Sequence, residues 1–286
     1  MKVAQGWKDY EILATSNGEK LERWGNVMLL RPDPQIIWYS DKQLDKTKGL
    51  NAHYHRDEKG GGRWENLKPY PDEWAISWRN IKFLIKPMGF KHTGLFPEQA
   101  VNWDIMIDLI KNAKRDIKVL NLFAYTGGAT VACASAGASV CHVDSAKNMV
   151  DRAKQNMELS NLGSAPVRYI VDDCRKFIER EIKRGNRYDA IIMDPPSYGR
   201  GANNEVWKLE DDLFDFVKLA VRVLTDKPLF VLINSYTTGL GATVLENILK
   251  LTMQQFSGKT EAYEVCLDTC EKILLPCGTS GIFIGN

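Results

Sequence analysis

Phe123-Ala-Tyr-Thr-Gly-Gly128, Asp144, Asp172-Asp173 and Asp194-Pro-Pro-Ser-Tyr198 are where acceptors, aromatic rings and glycines gather in this 286-residue chain. A lone carboxylate such as Asp144 accepts from both hydroxyls of a ribose diol. Asp173, or Asp172 beside it, could accept from an exocyclic amino group; the alternative is that the pair caps a helix beginning near Arg175. Gly127 and Gly128 lack the Cβ that would keep a ligand off the backbone, though glycine in such a turn can equally serve packing. Two prolines after Asp194 rigidify the chain and remove two donors, leaving the Asp194 carboxylate and the Pro195 carbonyl as acceptors. Tyr198 could stack on a base presented to those acceptors. The bland reading of the same motif is a strand-ending turn with an aromatic lid.

These residues need elements to hold them. Val119–Phe123 reads as a short buried strand, and Ala129–Ala136 as the small-residue helix after the glycine turn. Ala138–Val143 is the next strand, so Asp144 falls at its tip about twenty residues beyond the first, the spacing of a nucleoside-gripping acid. Further strands are expected at Val167–Val171, Tyr188–Met193 and Leu229–Asn234. Helices are expected at Glu98–Lys114, Ala146–Leu159, Arg175–Arg184 and Leu209–Leu224. Alternating strands and helices make a parallel α/β sheet, and its ligands lie beyond the strands' carboxyl ends. There the sequence presents the Phe123–Gly128 turn, Asp144, Asp172-Asp173, Asp194–Ser197 and Asn234-Ser-Tyr-Thr237. Phe123 and Tyr125 stand where a dinucleotide loop carries glycine, so a nucleoside with an amino-acid tail fits better than a nicotinamide cofactor. Tyr263–Leu267, Ile273–Leu275 and Gly281–Ile284 read as antiparallel strands closing the sheet.

Residues 1–86 read as a separate small β-rich module and 87–286 as the α/β domain. The module holds Trp7, Trp24, Trp38, Trp64, Trp74 and Trp78, six of the eight tryptophans. Strands are expected at Val27–Leu30, Ile36–Tyr39, Trp74–Ser77 and Ile81–Ile85, with a turn at Lys59–Arg63. Its rings and its charges (Arg23, Arg31, His53, His55, Arg56, Lys59, Arg63) could stack on and pair with RNA, or fill and solvate a small core. His53 and His55 would share a strand face, but with no third ligand evident nearby no metal is expected. With 26% charged and 44% hydrophobic residues the composition is that of a soluble globular protein, and a net charge of +2 confines any nucleic-acid site to a local basic patch. No apolar run is long enough for a membrane span, and no signal-peptide core opens the chain. Six cysteines without a CxxC pair indicate reduced thiols in the cytoplasm.

From about Lys91 onward the chain resembles class I S-adenosylmethionine-dependent methyltransferases. Within them it is similar to the bacterial large-subunit (23S) ribosomal RNA methyltransferases of the cytosine-C5 and guanine-N7 type, without their PUA module. The likeness rests on Phe123-Ala-Tyr-Thr-Gly127, Asp144-Ser145, the Ala153…Asn156 helix pattern, Asp194-Pro-Pro196 and Thr93-Gly94…Glu98-Gln99. It implies a Rossmann-like sheet, mostly parallel with a C-terminal antiparallel hairpin, and S-adenosylmethionine as cofactor. It also implies Phe123, Ala124, Tyr125, Thr126 and Gly127 around the methionine moiety and Gln99 near its carboxylate. Asp144 with Ser145 would lie at the ribose, Asp173 or Asp172 at adenine, and Asp194 with Pro195 and Tyr198 at the methyl-transfer site. Cytosine-C5 chemistry needs a thiolate after the strand ending Asn234-Ser-Tyr236, and none stands there. The expected reaction is methyl transfer to a base nitrogen of ribosomal RNA, with Lys91, His92, Arg200 and Lys208 near its phosphates. Methylation of a protein or small molecule, or a non-catalytic cofactor-binding module, are the alternatives.

Overall fold

The computed structural model describes residues 1–57, 61–89, 91–200, 206–237 and 239–286, without the side chain of Arg200. The chain forms two compact units: Val3–Val101 with Cys266–Cys277, and Met1–Lys2 with Asn102–Val265 and Gly278–Asn286. The turn-rich segment after residue 86 groups with the N-terminal strands, for physical reasons. Lys86 and Met88 donate to the carbonyls of Thr93 and His92. Arg31 reaches the Lys91 carbonyl and Trp7 the Pro97 carbonyl.

The N-terminal unit contains β2 (Tyr10–Ser16), β3 (Glu19–Trp24), β4 (Val27–Pro32), β5 (Ala52–Arg56) and β6 (Gly62–Asn66) in one sheet, in sequence order, after a short β1 (Lys2–Val3). A hairpin of β7 (Trp74–Trp78) and β8 (Ile81–Ile85) completes it. Ile36–Tyr39 is not a strand. Its carbonyls at Ile36 and Trp38 accept from Gly18 and Asn17 at the β2–β3 turn, so its alternation reflects docking on a turn and not a ladder. Ile36 is buried while Ile37 and Tyr39 are 88% and 85% exposed.

The tryptophans face inward or are pinned. Trp24 and Trp78 are fully buried. Trp7, Trp38, Trp64, Trp74 and Trp78 donate their indole N–H to oxygens of the same unit. Arg23, Arg31, His53 and His55 pair with Glu11, Glu22, Glu19 and Glu65. Several of the rings and charges that could meet RNA are thus paired within the fold, Arg56 and Arg63 are exposed, and Lys59 lies outside the described residues.

In the other unit, β9 (Lys118–Leu122), β10 (Ser139–Asp144), β11 (Val167–Val171) and β12 (Ala190–Met193) run parallel, joined by β15 (Phe230–Ser235). The small ribbon β13 (Tyr198–Arg200) and β14 (Val206–Lys208) lies between β12 and β15 in sequence. β16 (Gly258–Asp268) and β17 (Leu274–Gly285) close the sheet, β17 antiparallel to β15. The order is β1-β16-β17-β15-β12-β9-β10-β11. Chain order therefore reverses at β9, with β10 on one side and β12 on the other, and the crevice at such a switch point is where an open α/β sheet takes its ligand. Helices α1 (Ala100–Asn112), α2 (Gly128–Ser135), α3 (Lys147–Leu159), α4 (Cys174–Arg184), α5 (Leu209–Ala220) and α6 (Ala242–Thr252) accompany the strands.

The expected Ile273–Leu275 and Gly281–Ile284 fall on one long strand, Leu274–Gly285, of which residues 279–284 pair with β15. The sequence reading missed α6 and the β13–β14 ribbon. β12 and β15 are buried at every position, as a sheet covered on both faces requires. Among the described residues no helix is long and apolar enough to cross a membrane.

Candidate functional site at the carboxyl ends of the parallel strands

The turn after β9 has an unusual backbone. Phe123, Tyr125 and Gly127 all have positive φ, at 54°, 50° and 84°. Left-handed non-glycine residues cost of order 1–3 kcal/mol each and persist only where the surroundings hold them. Here the four residues from Phe123 to Thr126 are each tied. Phe123 N–H donates to Cys174 Sγ at 3.3 Å, and Tyr125 N–H donates to Asp144 Oδ2 at 2.8 Å. Ala124 N–H donates to the Val143 carbonyl, and the Thr126 carbonyl accepts from Asn156 Nδ2 at 2.8 Å.

The glycines serve this packing. A Cβ on Gly127 would stand 2.8 Å from the Ala153 Cβ, and one on Gly128 would stand 2.8 Å from the Trp103 ring. The missing side chains thus make room for protein, which is the packing role the turn's glycines can serve. The Ala153…Asn156 pattern gains a physical meaning from the same geometry. One small residue lets α3 approach the turn, and an amide one helical turn later holds its carbonyl.

Asp144 ends β10. Besides Tyr125 N–H it accepts Ala146 N–H on Oδ1 at 2.9 Å, and the Ser145 N–H also bonds the carboxylate, whose two oxygens offer about four lone-pair sites. Burial raises its pKa against the pull of those backbone donors. It remains partly exposed, and Ser145 beside it is exposed. Asp173 is the N-cap of α4: its Oδ1 accepts from Lys176 N–H at 2.9 Å. Asp172 forms an ion pair with Arg180. The capping alternative is therefore realised for Asp173, whose side chain is still exposed at the rim.

Asp194 follows β12 directly, its N–H 3.4 Å from the Leu122 carbonyl at the end of β9. Asp194 is partly exposed, Pro195 is buried and Tyr198 is 52% exposed. The loop is held from two sides. Trp207 Nε1 donates to the Pro196 carbonyl at 2.7 Å, and Leu209 N–H donates to the Ser197 carbonyl at 3.0 Å. From just beyond β15, Thr237 Oγ1 donates to Ser197 Oγ at 2.7 Å. The Trp207 ring packs 5.7 Å from Phe123 and 5.5 Å from Phe216, so one indole joins the proline loop to the glycine turn.

Asn234 is not at the mouth. Its Oδ1 accepts from Asn102 Nδ2 and Ser280 Oγ, with Tyr263 OH donating to Asn102 Oδ1 behind them. Cys174 is buried and its thiol is pushed far up by burial, so it acts as a packing group that accepts a backbone N–H. Gln99, Lys91 and His92 belong to the N-terminal unit, where Gln99 is buried in the turn Pro97–Gln99. Lys208 lies in β14, 3.9 Å from Asp211, and Arg200 has no described side chain.

Sequence reasoning missed Trp207, Asn102 and a buried chain under the turn. In that chain Asn121 Nδ2 donates to Thr130 Oγ1, which lies 2.9 Å from His142 Nδ1. A residue two before the strand-tip acid shares its sheet face, a signal that could have singled out His142.

A carboxylate with spare acceptor capacity at the switch point suits a ribose, and a strand-end loop of fixed acceptors suits a base. The acceptor set therefore fits S-adenosylmethionine. Comparison with known proteins agrees. A family model described as S-adenosylmethionine-dependent methyltransferase matches residues 40–241. The chain is 33% identical over 234 residues to ribosomal RNA large subunit methyltransferase I of Cronobacter sakazakii, covering 69% of this chain and 56% of that protein. It is 35% identical over 153 residues to ribosomal RNA large subunit methyltransferase K/L of Methylococcus capsulatus, covering 53% of this chain and 18% of that one. It thus spans about half of the first relative and under a fifth of the second. The crystal structure of a SAM-dependent methyltransferase from Agrobacterium tumefaciens superposes with a TM-score of 0.91 at 32% identity, covering 99% of this chain and 92% of that one. The chain belongs to the S-adenosylmethionine-dependent methyltransferase family.

Proposed function

We propose that the chain methylates a base nitrogen of RNA, with ribosomal RNA as the substrate class. The observation that carries this reading is the Asp194–Ser197 loop, braced by Trp207, Leu209 and Thr237, with the half-exposed Tyr198 ring beside it. A flat aromatic face next to fixed acceptors is what an unstacked base requires. The names of the Cronobacter and Methylococcus relatives support the same substrate.

Bound S-adenosylmethionine supplies a methyl group already activated by its sulfonium, so the chain's work is alignment and exclusion of water. In this reading Asp144 accepts from the ribose hydroxyls, with Ser145 beside it. Phe123, Ala124, Tyr125, Thr126 and Gly127 surround the methionine moiety. Asp173 faces the adenine amino group with the oxygen not spent on the α4 cap, and Asp172 is held back by Arg180. Gln99 as a contact for the amino-acid carboxylate rests on the resemblance alone. Asp194 and the Pro195 carbonyl orient the target nitrogen, and Asp194 takes up its proton as the methyl arrives. Six free cysteines fit a reducing, cytoplasmic setting.

The test is incubation with methyl-labelled S-adenosylmethionine and either total RNA or protein extract, with Asp194→Ala as control. Label in RNA that disappears in the variant is expected, and nucleoside analysis then names the atom. Label in protein alone would overturn the RNA reading.

A further inference from the structure

We propose that the N-terminal sheet carries a divalent transition-metal site formed by His53, His55, Glu65 and Glu19, with Zn²⁺ the best-matched ion. This proposal stands apart from the methyl-transfer reading. The sheet's alternation sets the site. His53 and His55 are two apart on β5 and so share a face. Glu65 on β6 lies directly across from His53. On the other side Leu30 of β4 pairs with His53, and Pro32, two residues on, pairs with Glu19 of β3. Three strands, with β4 between β3 and β5, therefore turn two imidazoles and two carboxylates to one face.

Their atoms already converge. His53 Nε2 is 2.5 Å from Glu19 Oε1, and His55 Nε2 is 2.6 Å from Glu65 Oε2. The two rings have centroids 4.0 Å apart, and ligand atoms of His53, His55 and Glu65 all lie within 4.8 Å of one another. Ligands of tetrahedral Zn²⁺, at about 2.0–2.2 Å from the ion, sit roughly 3.3–3.6 Å apart, so shifts of about 1 Å at these side chains close the site. Charge favours the ion as well. The two carboxylates carry the charge that one divalent cation balances. Histidine and carboxylate ligands select first-row transition ions over Mg²⁺ or Ca²⁺. Arg63, across from His55, is the opposing cation, and it is exposed at the sheet edge. The ion would tie β3, β5 and β6 together.

The full chain, stripped with a chelator, is titrated with Zn²⁺ against a chromophoric competitor and separately with Co²⁺ for its visible spectrum. Expected are one ion per chain, a cobalt spectrum of nitrogen and oxygen ligands, and a rise in melting temperature with Zn²⁺. His55→Gln and Glu65→Gln, both at exposed positions, should each weaken binding about tenfold or more while leaving the metal-free circular dichroism spectrum unchanged. If either variant misfolds, selective broadening of the His53 and His55 imidazole NMR signals by Cu²⁺ in the unaltered chain decides. Absence of binding, binding as tight in both variants as in the unaltered chain, a cobalt–thiolate band, or broadening elsewhere would overturn the proposal.

Discussion

The backbone N–H of Tyr125 donates to Asp144 Oδ2 at 2.8 Å, so the tip of β10 holds the turn that follows β9. One carboxylate at the strand tip thus fixes a left-handed residue of the neighbouring turn. Asp144→Asn cannot accept both the Tyr125 and Ala146 N–H groups, because one oxygen becomes an NH₂ donor. A buried donor left without a partner costs about 1–3 kcal/mol. Calorimetric titration with S-adenosylhomocysteine should therefore show affinity reduced by about tenfold or more, with a smaller loss of thermal stability.

Gly127→Ala should destabilise by about 2–4 kcal/mol, combining left-handed backbone strain with the collision against Ala153. Adding Ala153→Gly removes the collision and leaves the strain. Urea unfolding should find the double variant more stable than Gly127→Ala alone, against the ordinary cost of glycine within α3. A double variant no better than the single would show that contact with Ala153 is not what forbids a side chain.

Trp207 couples the proline loop to Phe123 through one hydrogen bond and one ring contact. Trp207→Phe removes the first and keeps most of the second; Trp207→Ala removes both. Steady-state kinetics should show turnover falling in that order, by up to about 100-fold for alanine, since small misplacements of reacting groups cost that much. Affinity for the cofactor should change less than turnover.

In the N-terminal unit, Glu22 is fully buried, with both oxygens bonded to Arg31 and one accepting from Tyr10 OH. Burial pushes its pKa up, but Arg31 and Lys20 overcome this and hold it at about 2. Removing only the cation leaves a buried charge, so Arg31→Met should cost about 3–5 kcal/mol, and Glu22→Gln together with Arg31→Met less than Arg31→Met alone. Chemical denaturation of the three chains checks both the size and the order.

Burial lowers the pKa of His142 to about 4, and burial with the charges of Arg31 and Lys91 lowers that of His92 to about 4 as well. Above the ordinary value near 6.5 neither state binds the proton, and stability is indifferent to pH on their account. As pH falls from 6.5 toward 4 the unfolded chain takes up protons that the fold refuses. Stability then drops by about 1.4 kcal/mol per pH unit for each histidine. Whatever His142→Gln costs at neutral pH, the slope of unfolding free energy between pH 6.5 and 5 should flatten by about one proton. An unchanged slope would mean that His142 is charged in the fold.

The sequence by itself determined the α/β alternation, the order of the parallel strands along the chain and the positions of the strand-tip residues. Apolar runs such as Ile191–Met193 and a small-residue helix after a glycine turn are local properties, set by burial and backbone freedom within a few residues. Asp144 and Asp194 were legible because each ends such a run. What a residue does once it arrives depends on partners far along the chain, and those only the tertiary structure decided. That Gly127 makes room for Ala153 of α3 could not be read from the turn itself. Asn234 looked like a mouth residue and is bound by Asn102 and Ser280 from distant segments. Trp207 carried no local signal, since its role needs the Pro196 carbonyl and the Phe123 ring. His53 and His55 were visible as a pair, but Glu19 and Glu65 reach them across strand pairings that periodicity cannot specify, because register is fixed by turns and packing and not by the strand's own pattern.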